Sequence, residues 1–166
     1  MNRFYRSLSL LSGTLAILVL VAGPVAAEVT IYTAVLSGAN EVPAVATPAT
    51  GVATLTLDDS NGFITTAPLL LEFSGLRGTQ NAAHIHQAPA GSNGPAIFGL
   101  PLGSPVDILV PLDQVPIASL EAGNLYINIH TDYSPAGELR GQFLLQGSVD
   151  VEKTNWGAIK ALFRAE

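Results

Sequence analysis

Residues 124–131 read NLYINIHT, that is Asn124-Leu125-Tyr126-Ile127-Asn128-Ile129-His130-Thr131. Leu125, Ile127 and Ile129 alternate with Tyr126, Asn128 and His130, and apolar residues at a period of two mark a half-buried strand rather than a helix. Successive strand side chains point to opposite sides of a sheet, so this run has one apolar and one polar face. The same sorting holds in Ala83-His84-Ile85-His86, where Ala83 and Ile85 lie opposite His84 and His86. The chain has three histidines, and all of them fall on such polar strand faces.

Working outward, strand-like runs recur at Val29–Leu36, Gly51–Leu57, Phe63–Thr66, Leu69–Phe73, Ala96–Leu100, Val106–Val110 and Glu138–Gln146. Gly, Pro and Asp-Asn clusters punctuate them; Asp58-Asp59-Ser60-Asn61-Gly62 is a tight-turn signature, and Pro135 to Gly137 reads as a hairpin turn. Short strands at this regular spacing predict an all-β fold, an antiparallel β-sandwich or Greek-key barrel of about eight strands. A short helix or turn is expected over 117–123, stopped by Gly123. No internal repeat or linker divides the domain.

The two ends read differently. Arg3 and Arg6 precede an apolar stretch from Leu8 to Gly23, and Val25 and Ala27 are small residues placed for cleavage before Glu28. The pattern predicts a secretory signal peptide over 1–27 and no membrane span once it is removed, the apolar stretch being shorter than the ~20 residues a span prefers. The main domain is then expected over 28–147. In the tail, 148–166, Trp156, Ile159 and Phe163 stand at i, i+3 and i+7, one face of a short amphipathic C-terminal helix that Asn155 can cap. Gly147-Ser148 is a candidate hinge before it.

Without Arg3 and Arg6, five of the seven Lys/Arg residues face thirteen Asp/Glu, a net charge of −8. Nucleic acid and anionic membranes both need clustered cations, so neither is an expected partner. The absence of cysteine rules out disulfides, thiolate ligands and a thiol nucleophile. An exported domain of this kind stands on its apolar core, and any metal it holds is bound mainly by nitrogen and oxygen.

His84 and His86, two apart on a strand, have Cα atoms roughly 6.7 Å apart, close enough for the imidazoles to bend onto one ion. If the strand of His130 is adjacent, it supplies a third nitrogen. Three neutral imidazoles without a thiolate suit copper or zinc, with nickel behind them, rather than magnesium or calcium. Water, Asp132, Tyr133 or Glu138 is a candidate fourth ligand, and Asn128, Gln142 and Glu138 are candidates to orient the rings. The competing reading is a polar sheet face whose histidines simply hydrogen-bond. Glu138, Arg140 and Gln142 share a strand face, so Glu138 either faces the histidines or pairs with Arg140.

Several of these stretches together resemble a chordin-type (CHRD) domain. They are Leu36-Ser37-Gly38-Ala39-Asn40-Glu41-Val42-Pro43 with Gly51-x-Ala53, Ala83-His84-Ile85-His86 with Gly91-Ser92-Asn93-Gly94-Pro95, Leu120-x-Ala122-Gly123 through Thr131, and Pro135-x-Gly137-Glu138-Leu139-Arg140-Gly141-Gln142. The resemblance covers about residues 29–147. It implies a compact all-β domain of the type found in exported bacterial proteins and in animal chordin, with no transferable enzymatic role. The His-x-His and later strand histidine are also similar to copper,zinc superoxide dismutase. Three histidines are too few for that enzyme's two sites and its cysteine pair is missing, so such an activity is not expected. The tail resembles a Trp-Gly-x-Ile-Lys-x-Leu-Phe/Tyr ending seen on assorted exported bacterial proteins, which implies no activity.

Two functions follow as expectations: a secreted or periplasmic module binding copper or zinc through His84, His86 and His130, or a non-catalytic structural or interaction module with an extracellular or envelope protein partner. Catalysis is the weakest of the readings. No Gly-x-Ser-x-Gly occurs, and an enzyme would require metal-bound water with Glu138 as base.

Overall fold

The computed structural model describes residues 27–59 and 64–151. The expected C-terminal helix lies outside these residues, as do the expected signal peptide apart from Ala27 and part of the turn at 58–62.

Nine strands form one sheet: β1 (Ala27–Ser37), β2 (Thr50–Asp58), β3 (Thr66–Ser74), β4 (Gln80–Gln87), β5 (Ala96–Gly99), β6 (Val106–Pro111), β7 (Leu125–Thr131), β8 (Leu139–Gln142) and β9 (Leu144–Val151). Their order is β5-β4-β7-β8-β1-β2-β3-β6, with β9 also on β1, and the pairings are antiparallel. The all-β expectation holds. The sheet is not split into two layers but curls into a half-barrel around its own apolar face.

The last strand-like run is interrupted at Phe143. Residues 138–146, expected as one strand, break there: β8 pairs with β7, while β9 pairs with β1 from Thr33 back to Ala27. Phe143 itself is fully buried, and its N–H donates to the carbonyl of Leu125. Gly147 and Ser148, expected as a hinge, lie inside β9 opposite Ile31 and Thr30. Of the run expected at Phe63–Thr66, Phe63 lies outside the described residues, Ile64 and Thr65 are not in a strand, and Thr66 opens β3, which continues through Leu69–Phe73.

Alternate residues of β1 to β4 and of β7 fill the core. Tyr32, Ala34 and Leu36 of β1 meet Ala53, Leu55 and Leu57 of β2, Ala67, Leu69 and Leu71 of β3, and Ala83 and Ile85 of β4. Leu125, Ile127 and Ile129 of β7 complete it, with Leu120 from the short helix α1 (Ile117–Glu121). Gly123, at φ 68°, ends that helix as expected. Among the described residues, no helix is long and apolar enough to cross a membrane.

The register of β4 on β7 positions the histidines. His84 pairs with Asn128, His86 with Tyr126 and Ala82 with His130, all facing away from the core. This face is not open to water. The loops after β1, after β4 and after β7 fold over it, leaving Tyr126 and Asn128 buried and the histidines half-buried.

Candidate metal centre

His84, His86 and His130 converge. One ring nitrogen from each lies within 4.8 Å of the others, and the ring centroids are 5.0 to 5.8 Å apart. The diagonal offset of His130 from His84 across the ladder brings this about, since diagonal cross-strand neighbours are within reach of long side chains.

Two of the three rings are fixed by main-chain oxygen. His86 Nδ1 is 2.9 Å from the Gly94 carbonyl and His130 Nδ1 is 3.1 Å from the Pro135 carbonyl. A carbonyl only accepts, so both Nδ1 atoms carry the proton and both Nε2 atoms carry a lone pair. Those Nε2 atoms, and Nδ1 of His84, are buried with no hydrogen-bond partner among the described residues. A buried polar group left unpaired costs about 1–3 kcal/mol, so three converging examples call for an explanation. Burial is the main cause that pushes the pKa of both His86 and His130 down, against the carbonyl contacts that raise it. Neutral rings with the lone pair turned inward are the form that ligates metal.

A stacked column supports His86. Its ring lies on Tyr126 at 4.9 Å with 15° between planes, and the Arg140 guanidinium sits 3.6 Å from the centre of the Tyr126 ring. Because β7 lies between β4 and β8, the tyrosine has His86 on one side and Arg140 on the other. Both partners also grip the loop that orients His86. The Tyr126 hydroxyl accepts from the Gly94 N–H at 3.1 Å, and Arg140 donates to the Ser92 carbonyl at 2.8 Å and to Asn93 Oδ1 at 3.1 Å.

The proposed fourth ligands go elsewhere. Glu138 is fully buried, but its carboxylate accepts from Thr47 Oγ1 and the Arg77 N–H on one oxygen and from Thr131 Oγ1 and the Gly78 N–H on the other. Burial alone would raise its pKa; these donors outweigh burial and lower it. Asp132 Oδ1 accepts the Thr79 N–H, and the Tyr133 hydroxyl accepts from Arg77. Neither Glu138 nor Asp132 joins the group of converging ligand atoms. Glu138 therefore neither pairs with Arg140 nor faces the histidines as a base; it ties three loops together.

Glu41, which the sequence did not single out, takes the place beside Arg140. It is only 6% exposed, and burial pushes its pKa up to about 7 despite Arg140 and the Asn128 amide, which lower it. Gly137 must remain glycine next to it. Its φ is 136°, and a Cβ there would stand 2.2 Å from Asn128 Oδ1 and 2.5 Å from Glu41 Oε1.

Residues 32–143, from β1 through the Phe143 break, match the CHRD domain family. The chain belongs to that family. No curated protein and no solved structure matches this CHRD chain. The matched span contains the three histidines together with Glu41, Glu138 and Arg140, so the centre belongs to the CHRD domain itself.

Proposed function

We propose that this CHRD protein is an exported module that binds one copper or zinc ion through His84, His86 and His130. The supporting observation is the set of three buried ring nitrogens that converge without partners among the described residues, two of them turned inward by carbonyls on the far side of the ring. Nitrogen-only donors favour copper or zinc over magnesium or calcium. Three protein ligands leave a coordination position for water or a further group. Among the described residues no carboxylate joins the cluster, so binding is a better reading than hydrolysis. The reading predicts stoichiometric uptake of copper or zinc by protein purified without a histidine tag in chelator-free buffer. Calorimetric titration showing uptake of neither would overturn it. Export to the periplasm or medium predicts a chain that begins at Glu28, measured as intact mass.

A second reading, an interaction module of the cell envelope, draws on the outer face of the other half of the sheet. Val35, Val52, Leu70 and Leu109 are exposed there on β1, β2, β3 and β6, and exposed apolar patches commonly mark contact surfaces. A protein that takes up no metal but retains a specific envelope protein in pull-downs would favour this reading.

A further inference from the structure

At the end of the sheet remote from Gly137, two hollows of about 420 and 260 Å³ share Ile64 and Ile117 as their common wall. Leu112 and Leu57 complete an apolar floor, and Ile64, Leu112 and Ile117 pack on the core from its rim without being fully buried. The surrounding residues are acidic: Glu28, Asp59 and Glu121 line one hollow and Asp113 the other. Their field reaches inward. The Tyr32 hydroxyl has its pKa raised first by burial and then by the charges of Glu121 and Glu28.

The chain leaves the described residues at this place. Asp150 pairs with Glu28 and Val151 with Ala27 in the last rungs of β9 on β1, so residues 152–166 begin beside a groove-lining residue. The charges are also segregated. Residues 28–151 carry eleven Asp/Glu and only two cations, Arg77 and Arg140, whereas 152–166 carries Lys153, Lys160 and Arg164. Arg77 and Arg140 are both engaged in hydrogen bonds and ring contacts far from the groove. Apart from Arg3 and Arg6 near the start of the chain, the tail holds the remaining cations, accompanied by Glu152 and Glu166 and interleaved with the apolar residues Trp156, Ile159 and Phe163.

We propose that the C-terminal segment docks on its own domain, seating Trp156, Ile159 and Phe163 on the Ile64–Ile117 floor and setting Lys160 and Arg164 against the acidic rim. Apolar burial supplies the attraction, at about 1.5–3 kcal/mol for each large side chain fully covered. Opposite charge fixes the orientation and makes the contact sensitive to salt. The tail then covers the Ile64–Ile117 wall in the same chain that carries the histidine centre.

Trp156 is the single tryptophan, so intrinsic fluorescence of the full chain reads the contact directly. The expected result is blue-shifted emission protected from acrylamide and independent of protein concentration. The exposed substitutions Asp113→Lys and Glu121→Lys should shift the emission to the red and expose the ring, and adding Lys160→Glu and Arg164→Glu should restore the protected state. Circular dichroism checks that each variant keeps its sheet. Wild-type emission like that of free tryptophan overturns the proposal, and so does protected emission that ignores the charge reversals. Protection that grows with concentration overturns it in favour of a second copy as the occupant.

Discussion

Two polar clusters lie in the same domain, and they are completed in opposite ways. At Glu138 both carboxylate oxygens are matched by two donors each, and every donor comes from this chain. At the histidines the described residues supply partners for the outer Nδ1 atoms of His86 and His130 and for none of the three converging nitrogens. A polar cluster satisfied from within is part of the fold. A cluster that orients its lone pairs and leaves them bare is built for something that arrives from outside.

That contrast predicts two separable losses. The largest expected effect is at the satisfied cluster. Glu138→Ala strands four donors, a loss of about 3–5 kcal/mol in urea unfolding, while the metal affinity of the protein that remains folded stays unchanged. A marked fall in affinity with little loss of stability would turn the comparison around and return Glu138 to the metal centre. Next in size is the bare cluster. His130→Ala should weaken copper or zinc binding at least about hundredfold, roughly 2.7 kcal/mol, and cost the metal-free fold only about 1 kcal/mol, for the Pro135 contact that is lost with the ring. Competition titration and thermal melts measure the two quantities on the same sample.

Much of the bare cluster was legible in the sequence. Period-two alternation in 83–86 and 125–130 put all three histidines on one side of two strands, and the register of β4 on β7 then brought them together. What the sequence concealed were the atoms that aim the rings. The carbonyls of Gly94 and Pro135 belong to loops, and every residue has a carbonyl, so no residue type announces them. Glu41 was missed because it meets Asn128 only through tertiary folding, 87 positions away. Glu138 shares its parity with Arg140, which suggested a common partner. The turn before β8 instead places it where the loops of Thr47 and Arg77 meet the end of β7 at Thr131. Alternation likewise does not foretell the break at Phe143, where the partner strand changes from β7 to β1.

Glu41 lies between the two extremes, hydrogen-bonded on Oε2 by Asn128 and unpartnered on the buried Oε1. Its pKa is raised from 4.5 to about 7, so the fold favours the acid form. That contribution is full below pH 4.5 and is lost as pH rises through about 7. Glu138 has the opposite sign: its lowered pKa stabilises the fold above its ordinary carboxylate range and the effect is lost on acidification. Glu41→Gln keeps a neutral side chain at all pH values, so it should gain on the wild type by on the order of 1–2 kcal/mol as pH rises across that window. Taking the difference between the two proteins cancels the titration of the histidines. A constant difference across pH would mean that Glu41 is ionised in the fold and paired with Arg140.

The smallest expected effect tests how the bare cluster is held rather than what it binds. Arg140 is 2% exposed, and besides its charge near His86 it reaches that ring by two routes, through the stack on Tyr126 and through the loop carbonyl of Ser92, two residues before Gly94. Lysine keeps the charge but lacks the flat face and the paired donors. Arg140→Lys should therefore loosen His86 and weaken metal binding about three- to tenfold, near the lower end of the range for outer partners of a ligand. The absorption and paramagnetic resonance spectra of bound copper should change with it, because the ring orientation changes. Tyr126→Phe separates the routes, since it preserves the stack and removes only the hydroxyl that accepts from Gly94. If it matches Arg140→Lys, the loop carries the effect; if it leaves affinity and spectra intact, the stack does. Should both variants bind copper as the wild type does, the column belongs with Glu138 on the structural side of the comparison.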